Sequence, residues 1–270
     1  MYTRHVSHQL FFSSMASKHR FATEEIERFS TVDLISELKR RYQVLSRPER
    51  SCVLLGPDYA GVETQAAFLR KEWGLCTINR TDIMKQSIAL DAAIKDLSDE
   101  IGSFRCRRGF AVSNFPESTE EAKAFDDMIR SRHSKHADYK VFVIDLPSSD
   151  DTMRQKSFTM LDHRARGMLL HPQSGRIYNT TEPELAPQTA NIDDVTGEGL
   201  VCPNWDLSGL QKKLNNWWEI RLPEVNAFYR TRCRFIDASR PRDSVSVEIS
   251  KILLGESGSS TSSTASNATE

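Results

Sequence analysis

The chain has 270 residues, a net charge of −1, and 27% charged against 39% apolar residues. That is enough to bury a substantial core, with no global field to draw in nucleic acid or membrane. No run of eighteen apolar residues exists, which excludes a membrane-spanning helix. The five cysteines, Cys52, Cys76, Cys106, Cys202 and Cys233, form no Cys-x-x-Cys pair. Their scatter argues against a zinc site or a disulfide framework and for a reducing compartment.

Residues 1–23 carry Arg4, Lys18 and Arg20, three histidines and four serines, with no acidic residue before Glu24. Arg-containing, Ser-rich and acid-free is the composition of a mitochondrial transit peptide. Residues 24–49 read as a helical extension. Ser30 with Asp33 resembles a capping box, Leu34, Ile35, Leu38, Tyr42 and Leu45 form an apolar stripe, and Pro48 ends the segment. This helix either packs back on the domain or docks onto a partner.

Five short apolar segments follow, alternating with helical patterns: Cys52–Gly56, Cys76–Asn79, Phe110–Ser113, Val141–Leu146 and Arg234–Ile236. Strands alternating with helices imply a parallel sheet covered on both faces, an α/β/α fold. Helices are predicted from Gly61 to Trp73, from a Ser118–Glu121 cap to Arg132, and from Ser149-Asp150-Asp151 to Arg166. Residues 171–200 are rich in Pro, Gly, Thr and Asn and read as an inserted loop or small β-module. Leu207 to Tyr229 is helical and carries Trp217 and Trp218, of which one faces outward as a contact candidate. Residues 256–270 are a disordered Ser/Thr-rich tail.

The central motif is Gly56-Pro57-Asp58-Tyr59-Ala60-Gly61-Val62-Glu63-Thr64-Gln65, set between the first strand and a helix. That is the setting of a phosphate-binding P-loop, but the lysine it needs after the second glycine is Val62. Glu63, at the helix N-terminus, suits the helix dipole and repels phosphate. Tyr59 takes a place where backbone must curl round the phosphate. The histidines have no ligand spacing, so no metal site is predicted. Arg130-x-Arg132-His133-x-Lys135-His136 is a basic helix end open to RNA, although such runs more often face water. Asp126-Asp127 and Asp150-Asp151 read as solvated helix positions or caps.

Taken in order, these motifs resemble the adenylate kinase family over residues 50–255. The loop is similar to G-P-P-G-A-G-K-G-T-Q. Leu75 to Lys85 looks like L-x-x-[IL]-S-T-G-D-x-[LM]-R, and Gly109 to Ser118 like G-[FY]-L-L-D-G-F-P-R-T. His171-Pro172-Gln173-Ser174-Gly175-Arg176-Ile177-Tyr178 and Asp193-Asp194-Val195-Thr196-Gly197-Glu198 resemble the two ends of the lid, here about 168–205. The resemblance implies a P-loop three-layer fold with a five-stranded parallel sheet, an inserted lid, and a lid network through His171, Ser174, Asp193 and Thr196.

It also implies where a nucleotide would be held, and most of those positions are altered. The P-loop lysine is Val62, the strand-end aspartate for Mg²⁺ is Ser113, and the acceptor-phosphate arginine is Glu117. The acceptor-adenine glutamine is Glu121. One lid arginine falls at Met168 or Leu169, and another at Cys202 or Pro203. Gly56, Gly61, Thr64, Asp82 and Arg164 are retained, while Lys85 and Lys213 stand where arginines are expected and keep only the charge. Only 24 residues separate Lys85 from Phe110, so the nucleoside-monophosphate flap is reduced to roughly half its usual length. Phosphoryl transfer rests on cations placed around the migrating group, so these losses predict a degenerate member without catalysis. On this reading it serves as a structural or assembly subunit of a mitochondrial complex, located in the matrix and needing no cofactor. Two alternatives remain: an active nucleotide kinase using ATP and Mg²⁺ with Arg80 or Arg166 as substitute cations, and an ATP-sensing module reading adenine through Arg164.

Overall fold

The computed structural model describes residues 30–84, 89–203 and 206–256. Residues 1–23, whose composition reads as a transit peptide, Lys85 and residues 257–270 lie outside the described residues. The chain divides into two compact units, residues 1–47 and 48–270.

In the first unit, helix α1 covers Thr31–Ser46. Ser30 caps it: its Oγ accepts from the Asp33 backbone N–H at 3.2 Å and donates to Asp33 Oδ2 at 2.6 Å. The cap satisfies a backbone donor that the helix itself cannot reach. Val32, Ile35, Leu38 and Tyr42 on this helix are 62–74% exposed.

The second unit is built on β1 (Cys52–Leu55), β2 (Cys76–Asn79), β3 (Phe110–Ser113), β4 (Lys140–Asp145) and β7 (Cys233–Asp237). They form one parallel sheet in the order β2-β3-β1-β4-β7. Every residue of β1 and β3 is buried, which is why these strands are unbroken apolar runs rather than alternating ones. The sheet is flanked by α2 (Val62–Trp73), α3 (Arg80–Met84), α4 (Leu90–Gly102), α5 (Thr119–Arg132), α6 (Asp151–Gly167) and α9 (Arg242–Leu254). Ser118 caps α5 through Glu121 N–H, and Asp150 caps α6 through Met153 N–H. A two-stranded antiparallel ribbon, β5 (Met168–Leu170) with β6 (Ile177–Asn179), begins the segment 168–205. The chain then returns through α7 (Leu207–Asn216), a wider π turn (Trp217–Arg221) and α8 (Leu222–Tyr229). Five strands at the predicted places, in parallel and covered by helices, make this an α/β/α fold.

Three expectations need correction. Cys76 and Cys106 are joined by a disulfide, their Cα atoms 4.8 Å apart, although the spacing of the cysteines suggested none. Trp217 and Trp218 are both buried, and both indole N–H groups donate to Asp145, at 2.8 and 3.4 Å. Both rings lie in the π turn Trp217–Arg221 and converge on the one Asp145 carboxylate. Asp126 is also buried rather than solvated. It accepts from Arg130, Arg232 and the Tyr139 hydroxyl at 2.8, 2.7 and 3.0 Å.

Candidate functional site

The parallel register brings the C-terminal ends of the inner strands together: Leu54 lies opposite Ser113, and Ser113 opposite Asn79. The loop after β1 emerges at this edge. Gly56 begins it, because a Cβ there would run into the Ile144 carbonyl oxygen and Val62 Cγ2. Tyr59 holds the left-handed conformation with φ +66°, and Gly61, at φ +99°, precedes the first turn of α2. The loop thus keeps a glycine-type backbone at Tyr59, a conformation that costs an L-residue about 1–2 kcal/mol.

Val62 is buried, and it stands among the residues that line the cavity over the loop, offering an apolar side chain where a lysine would carry charge. Glu63 turns into the cleft. Its Oε1 accepts from Asn79 Nδ2 at 2.6 Å and from Asn114 Nδ2 at 3.1 Å. Burial raises its carboxyl above the ordinary range; hydrogen bonds from Ser113 and Asn79 oppose the rise, and the charge of Asp82 adds to it. Ser113 is buried at the end of β3, and Asp82, in α3, is exposed. A cavity of about 330 Å³ lies over the loop, lined among others by Glu63, Thr64, Arg164, Met168, Glu182 and Arg240.

The cations around the cleft are held by the protein's own carboxylates. Lys213 Nζ lies 2.8 Å from Asp58 Oδ2, within the loop itself. Arg164 Nε donates to Glu182 Oε1 at 2.8 Å, and Arg240 pairs with Glu248. Arg80 grips Glu121 with two nitrogens, at 2.6 and 3.0 Å, and its Nε lies 3.2 Å from Glu117. From the other side, Arg221 Nη2 donates to the second Glu117 oxygen at 2.6 Å. Burial opposes the charge of Arg80, but the hydrogen bond to Glu121 and the fields of Glu117 and Glu121 hold it protonated. Burial lowers the Arg221 guanidinium, with Glu117 opposing that shift. Glu117 therefore sits between two guanidinium groups, an arrangement normally used to hold an anionic ligand.

In the segment 168–205, His171 and Asp193 are buried. His171 Nδ1 lies 2.7 Å from Ser174 Oγ, and Nε2 lies 2.7 Å from Glu198 Oε2. Asp193 takes a two-pronged contact from Arg176 at 2.8 and 2.6 Å, and also accepts from Thr196 Oγ1 at 2.8 Å and from the Tyr178 hydroxyl at 3.0 Å. The Arg176 hydrogen bond, foremost among these, holds the Asp193 carboxyl far below the usual range. His171, Ser174, Asp193 and Thr196 are thus drawn together, with Arg176, Tyr178 and Glu198 as further members of the network.

A loop of this shape at a strand edge, a ribbon-based insertion and a five-stranded sheet are features of more than one kinase-like fold, and sequence comparison separates them. An adenylate kinase of Vanderwaltozyma polyspora is 30% identical over 227 residues, 74% of this chain and 94% of that protein. The chain belongs to the adenylate kinase family. It is also 25% identical over 254 residues to adenylate kinase 4 of Arabidopsis thaliana, covering 86% of this chain and 98% of that relative. Against an adenylate kinase of Aspergillus niger the identity is 29%, over 75% of this chain and 81% of the relative. No family model matches the chain.

Within this adenylate kinase family member, the cleft's donor set does not match a Mg²⁺–nucleoside triphosphate. Carboxylates stand at Glu63 and Asp58, a valine stands where the cation should be, and the strand-end position offers the Ser113 hydroxyl. Among the described residues, the group with metal-ligand spacing is Cys76, Glu100 and Cys106, at the opposite ends of the strands. Arg221 and Glu182 carry part of the cleft's electrostatics without belonging to any motif read from the sequence, and Asp58 and Asn79 lie inside such motifs at positions that carried no assigned role. Charge reversal at Glu117 was the one signal that pointed to a new partner. In the basic stretch after α5, Arg130 pairs with Asp126, His133 meets Ser98 at 3.1 Å, and His136 is buried against Ser51.

Proposed function

We propose that this adenylate kinase family member has lost phosphoryl transfer and serves as a structural or assembly subunit of a mitochondrial matrix complex. The observation that carries the reading is the placement of Glu117 between Arg80 and Arg221, with Glu121 on the second face of Arg80. A phosphate entering there must displace an internal carboxylate from both arginines. The Lys213–Asp58 pair poses the same obstacle on the donor side. Each lost charged hydrogen bond typically removes about 1.5–3 kcal/mol, and a transition-state cation can be worth 10³–10⁵ in rate. Several such groups are missing together.

The assembly role draws on different features. The exposed apolar stripe of α1 is a surface suited to packing on another protein, and residues 1–23 have the composition of a matrix-targeting segment. In the described residues no helix is long and apolar enough to cross a membrane. Size-exclusion chromatography of the native protein from gently lysed mitochondria tests the role. Elution in a large complex is expected, and elution near the mass of the single chain would refute it. An alternative, ATP sensing without transfer, draws on Arg164 and Thr64 lining the cavity. A melting-temperature rise with ATP in the wild-type chain would favour it.

A further inference from the structure

The disulfide lies away from the cleft. Cys76 is the first residue of β2, so in this parallel sheet it sits at the end opposite the loop that follows β1. Cys106 lies in the short 3-10 turn Phe104–Cys106 that follows α4. The bond spans 30 residues and encloses β2, α3 and α4, the part of the chain that stands where the family resemblance puts the acceptor flap. Both cysteines are buried, Cys76 at 6% and Cys106 at 1% exposure, and Cys76 is the more exposed residue of the two.

Beside the pair a cavity of about 370 Å³ is lined by Thr77, Asp82, Leu97, Glu100 and Arg105. Glu100 reaches both the cavity and the pair, with Oε1 lying 3.9 Å from Cys76 Sγ and 2.8 Å from Arg105 Nη1. The cavity wall thus includes Thr77 and Arg105, the chain neighbours of Cys76 and Cys106, and Glu100 connects it to the Cys76 sulfur. Cys52 and Cys233 are buried free thiols, and Cys202 is exposed with no cysteine partner among the described residues.

We propose that Cys76 and Cys106 form a reversible dithiol–disulfide modification site, oxidised by small-molecule disulfides such as glutathione disulfide, and that it staples the segment 76–106. The Cys76 thiolate attacks one sulfur of glutathione disulfide. That S–S bond breaks, one glutathione leaves as thiolate, and a mixed disulfide remains on Cys76. The Cys106 thiolate then attacks the Cys76 sulfur, forming the internal bond and releasing the second glutathione. Two protein thiols are oxidised, one glutathione disulfide is reduced to two glutathione thiolates, and these take up the two protons given off by the protein thiols to become two glutathiones. Closing a loop of this length restricts the unfolded chain, which stabilises the oxidised form.

The test uses the full chain with Cys202→Ser, to remove the exposed thiol, equilibrated in glutathione buffers of graded poise. Thiols are trapped with iodoacetamide and read by peptide mass spectrometry, with the melting temperature measured alongside. The expected result is a single reversible midpoint at which Cys76 and Cys106 lose alkylation together, with melting about 5–10 °C higher on the oxidised side. Cys106→Ser in the same background should stop at one glutathionyl group on Cys76 and lose the melting shift. Three results would overturn the proposal: alkylation of both cysteines at every poise, a pair that never opens in excess reduced glutathione, or zinc protecting both reduced thiols and raising the melting temperature as oxidation does. The last would make the group with Glu100 a metal site.

Discussion

Glu117→Gln tests the claim that an internal carboxylate occupies a phosphate seat. The carboxylate is about one-third exposed and each arginine about one-fifth, so both pairs lie between surface and interior. A pair in that setting is worth about 1 kcal/mol, above the exposed median and below a buried charged hydrogen bond. Glutamine keeps one acceptor and loses the charge, so the variant should lose about 1–2 kcal/mol. For a chain of this size that lowers the melting temperature by roughly 3–6 °C. Arg221 and the Nε of Arg80, freed while Glu121 still holds the other two Arg80 nitrogens, should then take up an anion. Inorganic phosphate at about ten times its dissociation constant restores about 1.4 kcal/mol, most of the loss. Differential scanning fluorimetry in an anion-poor buffer, with and without phosphate, reads both effects. A wild-type chain that gains as much from phosphate as the variant would refute the reasoning, because the seat would then be open. An unchanged melting temperature in the variant would equally show that the two pairs contribute nothing.

Two further outcomes follow from the same geometry. Burial raises the Asp145 carboxyl from 3.8 to about 6, with indole hydrogen bonds from Trp217 and Trp218 and the Leu146 N–H opposing it. The unfolded chain gives up this proton first, so stability from this group falls as pH rises from about 4 to about 6. The advantage of wild type over Asp145→Asn should therefore shrink by about 2 kcal/mol between pH 4.5 and pH 7 in urea denaturation, and a constant difference would contradict the assignment. Val62→Lys with Glu63→Gly restores a cation and removes a carboxylate on a backbone that already has the required turn at Tyr59 and Gly61. Calorimetric ATP affinity should rise at least about tenfold; no rise would show that the loop's shape, rather than its charges, prevents binding.

The five strands were legible because a sheet buried on both faces writes itself as continuous apolar runs, as in Cys52-Val53-Leu54-Leu55 and Phe110-Ala111-Val112. The caps at Ser118 and Asp150 were legible because a cap is a local interaction, complete within three residues. What escaped was contact between distant positions. Cys76 and Cys106 are neighbours only because β2 and the turn after α4 meet, which no spacing rule records. Arg80, Glu117 and Arg221 come from three separate segments, and the sequence marks only the reversal at Glu117. The burial of both Trp217 and Trp218 is of the same kind: adjacent residues on a helix face different ways, and it is Asp145, from a distant strand, that draws both indoles inward. Asp126 was taken for a solvated acid because Arg232 and Tyr139 reach it from later in the chain.

Turnover is the most direct test of catalytic loss. The purified chain, supplied with ATP, AMP and Mg²⁺ and followed by chromatographic separation of the nucleotides, is expected to produce no ADP above the enzyme-free background. Sustained ADP formation that vanishes with Arg164→Ala would contradict the account and establish an active kinase with substitute cations.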